Sequence, residues 1–308
     1  IHISYQYNSG NALKYAYKSA SSSSWTKTTV DNTGGKHTSI ATDSNNNPHI
    51  AYRDSGGDVG YATKSSGGSW TYGTVQSAGD IASTSIAVDA DNHIHIAYYD
   101  ANNKDMYHLT NTSGSWARTF LEDIGTNTGG TALDIAIDPT TDEPGISYFD
   151  MDATSLKYTY YTGSAWSSTT VENSADYGRF NSIVYDSVGN VHISHERNSA
   201  DDLYYTSDKT GSWVSTALAT TNSVGTYTSI AVDSNDDLHI AYRHNTFTRT
   251  MHATVQGYQV SSAERADVSG ANCRISPSLS FGLSLYEGTC HQRHTDSPRF
   301  LNDRHRHG

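Results

Sequence analysis

Residues 38–75 read TSIATDSNNNPHIAYRDSGGDVGYATKSSGGSWTYGTV, and this stretch contains the pattern that decides the fold. TSIATD alternates apolar and polar residues and ends in the Asn-rich turn SNNNP, which predicts a short strand followed by a tight turn. HIAYRD, VGYATK and WTYGTV predict three more strands, separated by the turn sequences SGGD and SSGGS. The stretch therefore predicts four consecutive antiparallel strands.

The same unit recurs along the chain in three independent series of residues. Tryptophans lie 45, 46, 50 and 47 residues apart, at Trp25, Trp70, Trp116, Trp166 and Trp213. The run H-I-A-Y or a variant of it begins at His2, His49, His95, Gly145, His192 and His239. The aspartate that closes the S-I-A-x-D run recurs at Asp43, Asp89, Asp138, Asp186 and Asp233. Four short strands in each period of about 40 to 50 residues are typical of a β-propeller blade.

The sequence therefore predicts an all-β protein, a β-propeller of six four-stranded blades. The alternative is a fragment of a ring with seven or more blades. Complete blades are expected to begin near residues 39, 85, 132, 182 and 229, and residues 1–38 supply only strands two to four of another blade. The alternating segment Asn272–Leu285 is expected to supply the missing strand and close the ring. The propeller repeats are assigned to residues 1–270, and residues 271–308 to this closing strand and a disordered tail.

Composition restricts the classes of function. The net charge of −12 argues against a nucleic-acid partner, because phosphate binding needs a basic surface. No stretch approaches the roughly 18 apolar residues of a membrane span, so membrane insertion is not expected. The Ser-, Thr- and Tyr-rich composition is ordinary for an extracellular protein, and the chain begins directly on the strand-like IHISYQY. We therefore expect a secreted or cell-surface location and a monomeric domain of a larger protein.

Residues repeated in nearly every unit are interpreted as structural. A histidine shared by five units meets a need of every blade, whereas catalysis needs one asymmetric site. The tryptophans are interpreted as packing between blades. The turns that begin at Asp43, Asp89 and Asp233 resemble the start of a calcium loop but lack its glycine and distal glutamate. Asx-turns are therefore favoured over calcium, and no cofactor is expected.

The motifs N-x-x-H-I-A-Y-x-D, L-K-Y-x-T and G-S-W resemble the BNR or Asp-box class of propeller repeats of secreted bacterial and archaeal proteins. The resemblance covers roughly residues 1–260. The hairpin Thr206–Trp213, TSDKTGSW, looks like a degenerate Asp-box with one extra residue, and the other copies lack its aspartate. Proteins with such repeats include sialidases, ulvan-type polysaccharide lyases and propeller lectins, so the resemblance implies the fold without selecting an activity.

Antiparallel connectivity assigns the recurring motif positions to two rims. The end of strand two and the start of strand one lie at what we call the first rim, and the Asp/Asn turns and the hairpin before each Trp lie at the second rim. By analogy with other propellers, ligands are expected at the first rim. The candidate ligand-binding residues there are Tyr52, Arg53, Asp54, Tyr98, Tyr99, Asp100, Tyr148, Asp150, His195, Arg197, Tyr242 and Arg243. Aromatic rings mixed with carboxylate and guanidinium groups suit sugar recognition.

The fifth unit differs most at this position, where it has His195, Glu196 and Arg197. In an enzyme these residues would be the catalytic candidates, providing a base, a partner carboxylate and an anion clamp. The favoured interpretation is a solvated loop variant, so no catalytic residue is assigned. In the tail, Cys273, Cys290, His291 and His294 are metal-ligand types, but a disulfide or no bond is favoured over zinc because Cys273 has no nearby second ligand.

Three functions remain open at this point. The first is an extracellular carbohydrate-binding or adhesion propeller with shallow multivalent sites for a glycan or cell-surface polysaccharide. The second is a polysaccharide-active enzyme, either a uronate lyase or a glycosidase. The third is a non-catalytic scaffold domain of a larger surface protein. Repeated aromatic and aspartate positions favour binding over catalysis.

Overall fold

The structure is a computed structural model that describes residues 1–7, 11–126, 133–173, 177–197, 201–256 and 259–265. All regular secondary structure in these ranges is β-strand, which confirms the predicted all-β class. Within these ranges no helix is long and apolar enough to cross a membrane.

The strands form six antiparallel sheets, which we number blades 1 to 6 in chain order. Blade 1 contains β1 (His2–Tyr7), β2 (Ala12–Tyr17) and β3 (Thr26–Asp31). Blade 2 contains β4 (Lys36–Thr42), β5 (Pro48–Arg53), β6 (Val59–Thr63) and β7 (Thr71–Gln76). Blade 3 contains β8 (Ile81–Val88), β9 (Ile94–Asp100), β10 (Asp105–Thr110) and β11 (Ala117–Asp123).

The remaining sheets repeat the same order of four strands. Blade 4 contains β12 (Leu133–Ile137), β13 (Pro144–Asp150), β14 (Ser155–Tyr161) and β15 (Trp166–Glu172). Blade 5 contains β16 (Tyr177–Tyr185), β17 (Val191–Arg197), β18 (Asp202–Ser207) and β19 (Val214–Ala219). Blade 6 contains β20 (Val224–Val232), β21 (Leu238–His244), β22 (Arg249–Gln256) and β23 (Gln259–Arg265).

The first strand of each complete blade contacts the first strand of the next, from β4 through β8, β12 and β16 to β20, while β1 contacts β4. Four of these strands begin before the predicted positions, at Lys36, Ile81, Tyr177 and Val224. Each crosses a β-bulge before joining the regular pairing, and the bulge interrupts the alternation from which the start was read. Blade 1 has three strands in the described residues, as predicted. The segment Asn272–Leu285 lies outside the described residues, so ring closure and the number of blades stay predictions.

The hydrophobic core is divided into five clusters, and each cluster lies between two consecutive blades. Four of the five tryptophans, Trp70, Trp116, Trp166 and Trp213, each contribute to one cluster by packing on the third strand of the preceding blade. The ring centroids are 4.9 Å apart for Trp70 and Tyr15, and 5.1 Å apart for Trp116 and Tyr61. Trp25 belongs to blade 1, precedes every other blade and is 40% exposed. The predicted packing between blades is therefore observed for the tryptophans of blades 2 to 5, each of which has a preceding blade, and not for Trp25.

Hydroxyl groups connect the innermost strands of neighbouring blades. The Oγ atoms of Ser39, Ser85 and Ser182 each accept a hydrogen bond from a backbone N–H of the next blade, at 3.2–3.4 Å. Blade 4 has Asp134 at the serine position. Its carboxylate accepts the hydroxyls of Ser85 at 2.6 Å and Ser182 at 2.8 Å, so one side chain links blades 3, 4 and 5. Burial raises the pKa of Asp134.

Candidate functional site

The tyrosines predicted at the first rim lie inside the protein. Tyr52, Tyr98, Tyr99, Tyr148 and Tyr242 are each at most 2% exposed. The Tyr52 hydroxyl donates to Asp31 at 3.0 Å, and the Tyr99 hydroxyl donates to the Gly125 carbonyl at 2.7 Å. Burial raises the pKa of Tyr98 and of Tyr242 to about 12. These rings present almost no face to solvent, so sugar stacking does not fit them; they pack between the blades instead.

The predicted aspartates of the first rim hold the turns that follow the second strands. Asp54 Oδ1 accepts the backbone N–H groups of Gly56 at 2.8 Å and Asp58 at 3.0 Å. Asp100 Oδ1 accepts the N–H of Asn102 at 3.0 Å, and Asp150 Oδ1 accepts that of Asp152 at 3.1 Å. Side chains of this length stabilise such turns without any ligand. These carboxylates are therefore already used within the fold.

The predicted arginines differ from one another in their partners. Arg53 forms an ion pair with Asp80 at 2.8 Å. The Arg197 guanidinium lies over the Tyr177 ring at 5.0 Å from its centroid, and the Arg243 guanidinium lies 6.0 Å from the centroid of the Tyr227 ring. Arg243 is exposed and has no ion pair or hydrogen bond to another described residue. Of the predicted ligand-binding residues, Arg243 is thus a charged group left available.

The candidate catalytic cluster is buried in β17. His195 is 0% exposed, and its Nε2 shares a hydrogen bond with Thr206 Oγ1 at 2.8 Å. Burial lowers the pKa of His195 to about 4. Glu196 is buried as well, so a general base and carboxylate pair at these positions has no access to a polymer. The interpretation of this copy as a solvated loop is also wrong, because His195 and Glu196 belong to a strand inside the sheet.

The recurring histidines connect strands within each blade. In blades 2, 3, 5 and 6 the Nε2 atom lies 3.2–3.5 Å from the Asp that closes the first strand. The Nδ1 atom lies 2.5–3.2 Å from a third-strand partner, and these partners are Tyr61, His108, Tyr205 and His252. Burial lowers the pKa of His49, His95 and His192, which favours the neutral ring. These contacts match the structural role predicted for the series.

Blade 4 lacks this histidine and has Gly145 in its place. A Cβ atom at Gly145 would overlap the hydroxyl oxygen of Tyr185, which enters this space from blade 5. The Tyr185 and Tyr158 hydroxyl oxygens are 2.6 Å apart. Asp138, the closing aspartate of this blade, accepts Thr140 N and Oγ1 on Oδ1, and its Oδ2 has no hydrogen-bond partner among the described residues. The contact by which a histidine joins the closing aspartate to the third strand in blades 2, 3, 5 and 6 is therefore absent from blade 4.

A second departure affects the same pair of blades. At three other interfaces, a turn residue of the later blade accepts a backbone N–H from the turn of the earlier blade, at 2.8–2.9 Å; these acceptors are Asn92, Asp142 and Asp236. The corresponding residue of blade 5 is Gly189, which has a φ of 87° and no side chain to reach blade 4. Left-handed backbone is used at this position in all four blades, so glycine is accommodated at low cost.

A cleft lies between blades 4 and 5 at the second rim, beside these two departures from the repeat, and we call it the 4–5 cleft. It consists of two adjoining spaces of about 320 and 420 Å³. Both are lined by Asp138, Tyr158, Tyr160 and Tyr185, the first also by Glu143, and the second also by Asp208 and Trp213. Tyr160 is 39% exposed and stacks on Tyr158 at 5.4 Å between ring centroids. Aromatic faces beside carboxylate acceptors can bind a ligand that carries both C–H and hydroxyl surfaces.

The cleft lies at the rim opposite the one predicted for ligands. Gly145 was visible in the sequence as the one H-I-A-Y copy without histidine, yet nothing in the repeat showed that Tyr185 of the next blade would enter its place. Tyr160 lies opposite Gly145 in the pairing of β13 with β14, which brings its ring to the vacated side. The signal in the sequence that could have indicated this cleft is that two glycines, Gly145 and Gly189, replace side chains of the repeat at the same interface.

The turn aspartates of the second rim bind backbone donors. Asp43 Oδ1, for example, accepts the N–H groups of Asn45 at 2.9 Å and Asn47 at 2.8 Å, which is the contact expected of an Asx-turn. Within the described ranges, no group of three or more His, Cys, Asp or Glu side chains is arranged to hold a metal ion. The tail residues Cys273, Cys290, His291 and His294 lie outside the described residues.

Comparison with solved structures defines the chain as a β-propeller and confirms that prediction. AofleA from Arthrobotrys oligospora has 12% identity and a TM-score of 0.58, over 87% of this chain and 86% of that one. The fucose-specific lectin from Aleuria aurantia has 14% identity and a TM-score of 0.62, over 86% and 89%. The periplasmic gluconolactonase PpgL of Pseudomonas aeruginosa has 10% identity and a TM-score of 0.62, over 88% and 84%.

The sequence matches no protein-family model and no curated protein. Identities of this size show a shared fold and leave the function to the site, since one propeller architecture is used by proteins as different as a lectin and a lactonase. The assignment to the BNR or Asp-box class in particular stays a prediction.

Proposed function

We propose that this protein is a carbohydrate-binding β-propeller and that the 4–5 cleft is a sugar site. The observation that carries the proposal is the stacked pair of Tyr158 and Tyr160 beside Asp138, whose Oδ2 has no hydrogen-bond partner in the part of the chain that the structure describes. An aromatic face covers the C–H side of a pyranose ring, and a carboxylate oxygen accepts its hydroxyl groups. The likeness to the fucose-specific lectin from Aleuria aurantia supports the same class of function.

Calorimetric titration with methyl glycosides of fucose, galactose, mannose and glucose tests this proposal. We expect one or more of these neutral sugars to bind, with a stoichiometry near one for the cleft. A larger number of equal sites would instead support the multivalent binding predicted from the repeat. Absence of binding by the wild-type protein to all four sugars would overturn the proposal and favour the scaffold function.

Tyr160→Thr identifies the cleft as the location of the bound sugar. Thr63 and Thr110 occupy the corresponding position in blades 2 and 3, so this change removes the exposed ring and keeps a residue that suits a strand. We expect at least a tenfold loss of affinity, about 1.4 kcal/mol, with an unchanged melting temperature. Tyr72→Thr is the matched control, because Tyr72 is an exposed tyrosine on the outer strand β7 of blade 2. Equal affinity in Tyr160→Thr and the wild type would exclude the cleft.

An extracellular or cell-surface location belongs to the same proposal. Its support is the acidic, Ser- and Thr-rich composition together with the sugar site. Labelling of intact cells of the source with a membrane-impermeant reagent, followed by recovery of the protein, tests it. Recovery only after the cells have been lysed would contradict the proposed location.

A further inference from the structure

The first rim of blades 5 and 6 carries two aromatic side chains at corresponding bulge positions, Phe180 and Tyr227. We call them the rim pair. Their ring centroids are 4.6 Å apart, with an angle of 47° between the planes. Tyr227 is 64% exposed, which is unusual for a large aromatic residue that belongs to the innermost strand of a blade, here β20. The rim pair is separate from the 4–5 cleft, which opens at the second rim.

Both residues of the rim pair have left-handed backbone, with φ values of 48° for Phe180 and 53° for Tyr227. Bulky side chains rarely adopt this conformation, and strain of this kind is concentrated at ligand and active sites. The Thr228 hydroxyl donates to the Phe180 carbonyl at 2.6 Å and so links the two bulges. The bulge itself belongs to the repeat, since His37 of blade 2 also has a φ of 50°.

The fold does not require aromatic rings at these positions. Blade 2 has His37 and blade 3 has Ser83 at the corresponding place in the sequence. The bulge therefore does not explain why the side chains of Phe180 and Tyr227 are aromatic. Their adjoining rings, Tyr227 exposed and Phe180 half-buried, form an apolar platform at the rim.

Positive charge lies next to the platform. The Arg243 guanidinium is 6.0 Å from the centroid of the Tyr227 ring, and Arg243 is exposed with no ion pair among the described residues. Arg53 occupies the corresponding position of blade 2, where Asp80 neutralises it at 2.8 Å. Arg197 of blade 5 has Asp202 as its cross-strand neighbour, so of these three arginines Arg243 is the one without an acidic neighbour among the described residues.

We propose that the rim pair and Arg243 form a second binding site, one for a carboxylate-bearing sugar such as a uronate. The platform covers the apolar face of the sugar ring, and the guanidinium binds the carboxylate with two parallel hydrogen bonds. The positive charge of Arg243 complements an acidic ligand. Because the net charge of the whole protein is −12, only the surroundings of Arg243 attract such a ligand. Neutral sugar at the 4–5 cleft and acidic sugar at the first rim allow two parts of one polysaccharide to be held.

Titration with trigalacturonate and with its methyl ester tests this second site. We expect the acid to bind at least tenfold more tightly than the ester, with the difference decreasing as salt is added. Arg243→Gln should remove the preference for the acid, whereas Arg53→Gln, at the matched and ion-paired position, should keep it.

Tyr227→Gly separates loss of the ring from loss of the fold. Glycine adopts the left-handed backbone without strain, so the melting temperature should stay the same or rise while affinity for trigalacturonate decreases at least tenfold. No binding of the acid by the wild type, or binding unaffected by both Tyr227→Gly and Arg243→Gln, would overturn the proposal. Binding that is lost in Tyr160→Thr and kept in the rim variants would place the acid in the 4–5 cleft and would also overturn it.

Discussion

The interface between blades 2 and 3 and the interface between blades 4 and 5 are built from the same repeat but differ at several positions, two of which are glycines in the second interface. In blade 2, His49 joins Asp43 to Tyr61, and the Trp116 ring of blade 3 packs on Tyr61 at 5.1 Å. In blade 4 the histidine is Gly145, and at the facing turn of blade 5 an Asn or Asp is replaced by Gly189. The first interface is closed and the second contains the cleft. The comparison indicates that a repeated fold can gain a cleft where packing side chains of the repeat are absent, and the proposed sugar site lies in that cleft.

Trp116→Ala is expected to have the largest effect, because it removes a ring from the closed interface. Replacing a packed tryptophan costs about 3 kcal/mol of unfolding free energy or more. Trp213→Ala, the same change at the open interface, should cost less because the ring already faces the cleft. Urea unfolding of the two variants measures both. Equal losses would mean that the 4–5 interface is as closely packed as the other.

Asp134→Ala tests how the open interface is held at its inner end. The change leaves the hydroxyls of Ser85 and Ser182 and the N–H of Ile183 without their acceptor. We expect a loss of roughly 2 kcal/mol or more of unfolding free energy. Asp134→Ser restores the residue found in the other blades and should recover part of it. A larger loss in the serine variant than in the alanine variant would contradict this account.

Gly145→His combined with Tyr185→Val converts the open interface toward the closed one. The valine removes the hydroxyl that overlaps any side chain at Gly145 and matches Val88 and Val232 of other blades. We expect the double variant to fold, to gain about 1 kcal/mol of stability, and to lose affinity for the neutral sugar at least tenfold.

Gly145→His alone should destabilise the protein because of the overlap with Tyr185. Thermal melts and calorimetry on the single and double variants therefore distinguish the effect of this steric overlap from the effect of closing the cleft. Full sugar binding in the folded double variant would place the sugar elsewhere.

His108→Tyr should have the smallest effect at neutral pH, and it tests how the interface between blades 3 and 4, where His108 packs on Trp166, responds to acid. Burial and the neighbouring His95 lower the pKa of His108 to about 3. The unfolded chain therefore takes up this proton first, so the stability contribution is complete above pH ~6.5 and is lost as pH falls toward 3.

Tyr61 and Tyr205 occupy the same position in other blades, so the tyrosine should be accepted there. We expect the variant to lose less stability on acidification, by at most about 1.4 kcal/mol per pH unit. Urea unfolding at pH 7, 6, 5 and 4 measures this slope. A slope identical to that of the wild type would mean that His108 takes up its proton without unfolding.

The sequence predicted the strands well because each blade repeats the same short-range pattern. Alternation, turn residues and the positions of Trp and His determined the four-strand unit and the interpretation of the histidines. The bulges near the start of β4, β8, β16 and β20 were missed, because a bulge interrupts the alternation and leaves no other signal. Asp134 was missed because a polar residue at a serine position does not show by itself that it links three blades.

The candidate site was predicted at the level of residue type and not of location. Tyr52 and Tyr148 are of a residue type that is common in sugar sites, but aromatic residues also pack well inside proteins. Whether such a ring is exposed or buried depends on the blade that faces it, and here both rings are buried. The cleft lies at the interface that carries both Gly145 and Gly189, which are 44 residues apart in the chain and belong to two different blades. Pairing at that distance is a property of the three-dimensional arrangement and cannot be read from a single unit.

Because Gly145 belongs to blade 4 and Gly189 to blade 5, a duplication reproduces the cleft only if it includes both blades. Internal duplication of a single blade would lengthen the chain and could add another well-packed boundary, but it would not copy the opening. Duplication of blades 4 and 5 together would copy both glycines and produce a second opening in one event. Repeat proteins with this arrangement can therefore gain or lose binding capacity in whole two-blade steps, without any change at the residues that contact the ligand.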